Sequence, residues 1–262
     1  MGKVNNGSFM NSTQFILDRL EEIGKALSKW DSTLALIGLG SVGTQLDRMD
    51  RYSDLDFFVI VKNGSKQQYL DELDWMREVS PIGYCFMNTR DGYKLLFADG
   101  VFCEFAVFDD AELAEAVFTP GRIVWKAEGV SDKIAIPQKP VESQSKRSTE
   151  WLVGEAITNL YVGLCREQRG EKLSAMRFIQ GYAVDRVLEL IEQLEPAATV
   201  HRDEFNLERR FEQRYPQAAG KITGMLLGYE HNRESALAVM SFLDEQFEVN
   251  HSMKQAVLEL IK

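Results

Sequence analysis

Two aspartates, Asp54 and Asp56, stand one residue apart at the start of an apolar run, a spacing that suits metal chemistry. Side chains in a strand alternate between two faces, so both carboxylates are expected on one face, about 6.6 Å apart along the backbone. At a separation of 4 Å and a dielectric of 20, two such charges repel by about 4 kcal/mol. A divalent cation such as Mg²⁺ offsets this repulsion, because it takes oxygen ligands and accepts one or two carboxylates together with substrate phosphates.

Upstream, another apolar run ends at Gly40 and Ser41, a pair that suits the binding of phosphate. Glycine lets backbone N–H groups approach an anion, and a helix that starts at Ser41 directs its positive end there. The sequence therefore predicts a phosphate-binding turn at Gly40–Ser41. Ser53, beside the aspartates, is either a further donor to the nucleotide or a simple turn at the start of the strand.

The same segment allows other interpretations, because residues 38–43 also match the G-x-G-x-x-G fingerprint of dinucleotide-binding folds. In those folds a single acid follows about 20 residues later, at the far end of the second strand. Here two acids come earlier, and residues 44–52 are short for a crossover helix. A glycine-rich turn before an exposed strand is the plain structural alternative. We favour the metal and phosphate interpretation.

A third acid, Glu104, lies within the apolar run 101–108 and is expected to share a strand face with Phe102, Ala106 and Phe108. A carboxylate on an apolar face is costly unless it binds a proton, a metal or a hydrogen-bond donor. The alternative is an edge strand that carries one solvated acid.

Gly40-Ser41, the run Ser53-Asp54-Leu55-Asp56 and the later Glu104 together resemble the signature of the polymerase-β-like nucleotidyltransferase superfamily. The order of elements and a helical second half with Arg169-Gly170-Glu171 are similar to lincosamide and aminoglycoside nucleotidyltransferases. The segment between the Gly-Ser pair and the first aspartate is longer than in those antibiotic-modifying enzymes, which leaves the acceptor open.

The resemblance implies an Mg²⁺-dependent enzyme that moves a nucleoside monophosphate from a nucleoside triphosphate, ATP first among them, to a hydroxyl of a small molecule. A lincosamide or an aminoglycoside is a candidate acceptor, and resistance to such an antibiotic is the implied role. Asp54, Asp56 and Glu104 are the expected catalytic residues and metal ligands, with Glu104 either a ligand of a second metal or the base. Triphosphate also needs cations, and the expected nucleotide-binding residues are Gly40, Ser41, Ser53, Lys172 and Arg177.

Two other functions remain open. One is a nucleotidyltransferase that modifies a protein or RNA partner, as antitoxin-like members do, although the large helical half disfavours it. The other is a dinucleotide-binding protein of the Rossmann type, or a nucleotide-binding module without catalysis. The complete acidic trio argues against a module that has lost its activity.

Composition narrows the class of protein. The chain has 262 residues, 45% hydrophobic content and a formal net charge of −10, which is typical of a globular protein and disfavours a nucleic-acid partner. An acidic surface attracts a cationic small acceptor. The three cysteines form no C-x-x-C pair, and no run suits a signal peptide or a membrane span, so we expect a cytoplasmic protein without a membrane partner. A homodimer is one option for the oligomeric state.

The hydrophobic periodicity predicts an α+β fold in two domains, with a nucleotidyltransferase-like mixed sheet and flanking helices in residues 1–140 and an all-α helical bundle in 141–262. Asp-Gly turns predict hairpins in the first domain. The expected strands are 34–39, 55–62, 82–87, 93–98 and 101–108, with helices near 12–27, 41–46, 69–79 and 110–117. The expected helices of the second domain are 151–167, 172–194, 203–214, 216–227, 235–247 and 253–261, and they are taken to complete the substrate pocket.

Overall fold

The protein is described by a computed structural model that covers residues 12–139 and 147–262. The chain divides into two compact units, residues 1–141 and 142–262. The domain boundary predicted at 140/141 lies outside the described residues. The first unit is a mixed sheet with helices and the second is helical, so the expected α+β fold class is confirmed.

The first helix of the described residues is α1 (Thr13–Leu27), where the Ser12 hydroxyl caps the N-terminus and accepts a hydrogen bond from the backbone N–H of Phe15. Six strands follow in the described part of the chain: β1 (Thr33–Gly38), β2 (Leu55–Val61), β3 (Ile82–Thr89), β4 (Gly92–Phe97), β5 (Phe102–Asp109) and β6 (Arg122–Lys126). Their order in the sheet is β3-β4-β5-β2-β1-β6. Strands β2 and β5 pair in parallel, and the other neighbours are antiparallel.

The direction of β1 and β2 rules out the dinucleotide-binding interpretation of residues 38–43. That fold joins two parallel strands through a crossover helix. Here β1 and β2 are antiparallel, and the segment between them contains two three-residue 3₁₀ turns, Gly40–Val42 and Leu46–Arg48. The helix predicted over 41–46 is therefore wrong.

The sheet buries its two faces unequally. One face packs against α1, α2 (Lys66–Asp71) and α3 (Asp74–Arg77) in a large apolar core, to which β2 and β5 contribute alternate residues. The other face is covered around Ile60 by a smaller core that includes α4 (Asp110–Leu113) and the 3₁₀ turn Asp132–Ala135. Asp56 and Glu104 belong to neither core and lie half-buried on this second face.

Two further elements differ from those predicted. The helix predicted over 69–79 is split into α2 and α3, and the carbonyl of Tyr69 accepts a hydrogen bond from the Trp75 indole at 3.2 Å, where a continuous helix would use a backbone N–H. Strand β6 was not predicted from the sequence. Just before it, Gly121 packs so tightly on β1 that an added Cβ would lie 2.9 Å from the Gly38 carbonyl oxygen.

The second unit contains α5 (Thr149–Gln168), α6 (Lys172–Met176), a π-helical segment (Arg177–Ala183), α7 (Val184–Leu194), α8 (Phe211–Arg214), α9 (Pro216–Met225), α10 (Asn232–Gln246) and α11 (His251–Ile261). These helices share one apolar core, which agrees with the predicted bundle. The helix predicted over 203–214 is reduced to α8. The Asp203 carboxylate accepts the backbone N–H groups of the residues at 205 and 206 and stabilises a turn there.

Across the described residues, none of the helices combines the length and the apolar character needed to cross a membrane.

Candidate active site

Asp56 and Glu104 lie side by side on neighbouring strands. The parallel register of β2 and β5 pairs Asp56 with Glu104, and paired residues in a sheet point to the same face. Neighbouring strands are about 4.8 Å apart. Burial alternates along β5 so that Phe102, Glu104, Ala106 and Phe108 share the half-buried face, as the sequence predicts.

Asp54 immediately precedes β2 and is also half-buried. Burial raises the pKa of the neighbouring Cys103 thiol, and the charges of Asp54 and Asp56 raise it further, against the opposing effect of Arg19. Both carboxylates therefore lie close enough to β5 to act electrostatically on the same side chain. Asp54 and Asp56 thus both lie beside β5, the strand that carries Glu104.

The glycine turn lies against Asp56. Gly40 has a left-handed backbone (φ 53°), and a Cβ added there would lie 2.9 Å from Nη2 of Arg48 and 3.8 Å from Oδ2 of Asp56. The N–H of Leu39 donates to the carbonyl oxygen of Asp56 at 2.8 Å. Ser41 is buried inside the turn. The turn at Gly40–Ser41 thus lies against Asp56 as a single 3₁₀ turn in place of the predicted helix N-terminus, and phosphate binding by Gly40 and Ser41 stays a prediction.

Arg48 is the cation that sequence reasoning missed. Its Nε donates to the Gln45 side chain at 2.5 Å, and its Nη2 lies beside the bare face of Gly40. The sequence shows that the long segment between Ser41 and Asp54 carries two arginines, Arg48 and Arg51, but not which of them approaches Gly40.

The Glu104 carboxylate is held from the other side of β5. Lys94 is its cross-strand partner, with Nζ 3.2 Å from Oε2, and Asn88 Nδ2 donates to Oε1 at 3.2 Å. The side chains of Lys94 and Glu104 are each 43% exposed, so the carboxylate remains accessible.

Within residues 12–139 and 147–262, no three His, Cys, Asp or Glu side chains converge in a group that could hold a metal ion. Both carboxylate oxygens of Glu104 instead contact neighbouring side chains, Oε2 the ammonium of Lys94 and Oε1 the amide of Asn88. A metal held jointly by Asp54, Asp56 and Glu104 stays a prediction.

Ser53 forms a local turn. Its hydroxyl accepts the backbone N–H of Asp50 at 3.0 Å and lies 3.4 Å from the Asp50 carboxylate. This is the turn that the sequence left as the alternative for Ser53, and a role in nucleotide binding stays a prediction.

Lys172 and Arg177, predicted to bind the nucleotide, belong to the helical unit. The Lys172 ammonium pairs with the Glu230 carboxylate, which raises the pKa of Lys172, and it lies 5.9 Å from the centre of the Tyr229 ring. Arg177 begins the π-helical segment, a feature frequent at functional sites. Their contribution to nucleotide binding stays a prediction.

No protein-family model and no curated protein matches the chain. Solved structures do match it. An aminoglycoside 6-adenyltransferase from Bacillus subtilis is 12% identical over 96% of this chain and 92% of that one, with a TM-score of 0.35. A STING-associated CdnE c-di-GMP synthase from Capnocytophaga granulosa is 11% identical over 99% and 85%, with a TM-score of 0.32. A spectinomycin adenyltransferase from Enterococcus faecialis, with ATP and spectinomycin, is 16% identical over 93% and 97%, with a TM-score of 0.28.

Proposed function

We propose that this protein is an enzyme that transfers a nucleoside monophosphate from a nucleoside triphosphate to a hydroxyl of a small molecule, with Mg²⁺. One observation carries the proposal. Asp56 and Glu104 share a register position on the parallel strands β2 and β5, and the turn at Gly40 lies against the Asp56 carboxylate.

The donor set fits a magnesium ion. Asp54 and Asp56 are both half-buried residues, and Mg²⁺ needs only one or two carboxylates because water and substrate phosphates complete its six ligands. When bound, the ion would neutralise charge on the phosphates. We assign Asp54 and Asp56 to the metal.

We assign the phosphate chain of the nucleotide to the side of Asp56 that faces the Gly40 turn, whereas Glu104 lies on the other side. At the turn, the Arg48 guanidinium supplies fixed positive charge, and Gly40 has no side chain to keep an anion from the backbone. The same arrangement would favour the departing pyrophosphate, because its charge grows as the bond to the α-phosphorus breaks.

Glu104 is assigned as the base. Asn88 and Lys94 fix the orientation of its carboxylate, and its exposure leaves room for an acceptor hydroxyl. The hydroxyl oxygen forms a bond to the α-phosphorus, the bond from that phosphorus to the β-phosphate oxygen breaks, pyrophosphate leaves, and the hydroxyl proton passes to Glu104. The acceptor would then approach from the side of β4.

The proposed acceptor class is a hydroxylated small molecule that carries positive charge, such as an aminoglycoside, with a lincosamide as a further candidate. The net charge of −10 favours the approach of a cation.

The test is to incubate the protein with each nucleoside triphosphate, Mg²⁺ and a panel of spectinomycin, aminoglycosides and lincosamides. A nucleotidyl adduct in the mass spectrum, with release of pyrophosphate, is expected. Asp56→Asn should lower the rate about 100-fold or more, because it removes charge from the metal site.

Asp132→Asn is the matched control. Asp132 is an aspartate with an 81% exposed side chain, paired with Lys126 on the edge strand β6, and its loss should leave the rate unchanged. A folded Asp56→Asn variant with the wild-type rate would refute the metal assignment. Nucleotide recovered on a protein or RNA, with none on the panel, would favour the alternative acceptor class.

A further inference from the structure

Strand β3 forms an open edge of the sheet. In the described part of the chain, it pairs with β4 on one side and with no strand on the other. Five consecutive residues, 83–87, are exposed, including Tyr84, Phe86 and Met87 at 57%, 52% and 42%. The strand contains no charged residue between 82 and 89.

An edge of this kind exposes unpaired backbone N–H and C=O groups and invites pairing with another strand. Natural edges are usually protected by lysine, proline or a bulge. Here the register shifts at Gly83 and at Asn88 place an extra residue at each end of β3, which leaves Tyr84–Met87 as a regular and unprotected stretch.

We propose that this edge binds β3 of a second copy of the chain in an antiparallel pair, which joins the two sheets into one. The charge of the chain favours this place of contact. A net charge of −10 makes two copies repel each other, whereas β3 itself contains no charged residue, and the nearby charge that acts on Cys85 is the cation of Arg77.

Symmetry and the length of the regular stretch Tyr84–Met87 together restrict the register to two solutions that pair three of these four residues. A two-fold axis perpendicular to the sheet keeps each residue on its own face, so a residue must face one that lies on the same face of β3. Tyr84 and Phe86 share the face of Lys94 and Leu96, and Cys85 lies on the other face. Either Cys85 faces its own copy and Tyr84 faces Phe86 of the second copy, or Phe86 faces itself.

The first register forms two identical aromatic pairs across the interface, and aromatic cross-strand pairs stabilise antiparallel strands. In that register the two Cys85 Cβ atoms lie about 5 Å apart, and in the other register about 7–8 Å. Because Cys85 is exposed and Cys103 is buried, Cys85 is a natural reporter for this contact. The acidic residues of both copies would lie on the same side of the joined sheet.

The experiment measures the mass of the protein by sedimentation between about 1 and 200 µM, a range suited to an interface smaller than the usual ~800 Å² per partner. The wild type should shift from monomer to dimer. Phe86→Lys should raise the dissociation constant at least about tenfold. The two introduced lysines would face each other in one register and lie close together in the other, so their like charges would repel. Phe205→Lys, which replaces an exposed phenylalanine of similar exposure (55%) in the helical unit, should leave the dimer intact.

Cross-linking with a short bismaleimide supplies the second readout. A covalent dimer is expected from the wild type and from Cys165→Ser, and not from Cys85→Ser. A protein that stays monomeric at 200 µM would overturn the proposal and leave the edge to a different partner. A dimer that survives Phe86→Lys, or one that forms no cross-link at Cys85, would also overturn it.

Discussion

Asp56 and Glu104 occupy the same register position on the parallel strands β2 and β5. Two carboxylates at this spacing repel, and Lys94, opposite Glu104 on the next strand, relieves part of that repulsion. The arrangement gives the two acids different surroundings, with Asp56 beside the Gly40 turn and Glu104 beside Asn88 and Lys94. Different surroundings suit the two roles that we propose, a metal ligand for Asp56 and a proton acceptor for Glu104.

Replacing Glu104 with glutamine separates these roles. If Glu104 is the base, Glu104→Gln should lower kcat by about 10²–10⁴-fold and leave the KM for the nucleotide unchanged. Steady-state kinetics with varied nucleotide and Mg²⁺ measure this. Glu115→Gln, at a 73% exposed glutamate paired with Lys139, is the control. A raised Mg²⁺ requirement with kcat preserved would make Glu104 a metal ligand instead.

Alanine at Gly40 should damage nucleotide binding beyond its cost in stability. The left-handed backbone costs about 1–2 kcal/mol with any Cβ, and this Cβ would also displace Arg48 from the turn. We expect the KM for the nucleotide to rise about tenfold or more. Gly64→Ala is the matched control, because Gly64 has φ 84° and an added Cβ would meet nothing within 4 Å. It should show a similar loss of stability in urea unfolding and unchanged kinetics. Equal kinetic effects in both variants would contradict the assignment of the turn.

Lys66 stabilises the first unit by joining three separate segments. Its Nζ lies 2.5 Å from the Asp91 carboxylate and 2.8 Å from that of Glu112, with its side chain only 14% exposed. Lys66→Met should lower the free energy of unfolding by about 1–3 kcal/mol, since it removes the half-buried ammonium group that the Asp91 and Glu112 carboxylates share. The exposed pair Lys29–Glu78 is the comparison, and Lys29→Met should cost about 1 kcal/mol or less.

The stability that Lys66 contributes should decrease at high pH. Burial opposes the charged form of Lys66, and the hydrogen bonds to Asp91 and Glu112 outweigh it, so its pKa is raised. The contribution of Lys66 and its two carboxylate partners to the free energy of unfolding is therefore complete below the ordinary lysine pKa of 10.5. It falls as the pH rises through the higher pKa of the folded state. Urea unfolding of the wild type and of Lys66→Met should converge at the alkaline end. An equal difference at pH 7 and pH 11.5 would contradict this account.

Cys103 should make the stability of the first unit sensitive to alkali at a lower pH than Lys66 does. Burial raises the pKa of its thiol in the folded state, whereas an unfolded cysteine titrates near 9.0. Above pH 9 the unfolded state loses the proton first, so stability should fall by up to about 1.4 kcal/mol for each pH unit. Cys103→Ala should flatten this slope. The wild-type thiol should react with a disulfide reagent only after unfolding, whereas Cys85 reacts in the folded protein. Rapid labelling of Cys103 in the folded state would refute the buried placement.

The local parts of this structure were predictable from the sequence, and the distant contacts were not. Alternating apolar residues around Asp56 and Glu104, with Asp-Gly turns between the strands, predict the strands and their faces. The parallel register of β2 and β5, which sets the two acids side by side, depends on pairing across the sheet. Arg48 was missed because its approach to Gly40 follows from two 3₁₀ turns that leave no periodic signal.

The parallel pairing of β2 with β5 also has a consequence for folding. The β3–β4 and β4–β5 hairpins close short loops, whereas β2 meets β5 only across the whole β3–β4 segment of the chain. Closing a longer loop costs more chain entropy, and contacts between distant residues form slowly. We therefore expect the pairing of β2 with β5 to form after the hairpins, so that a partly folded chain that holds both hairpins does not yet align Asp56 with Glu104.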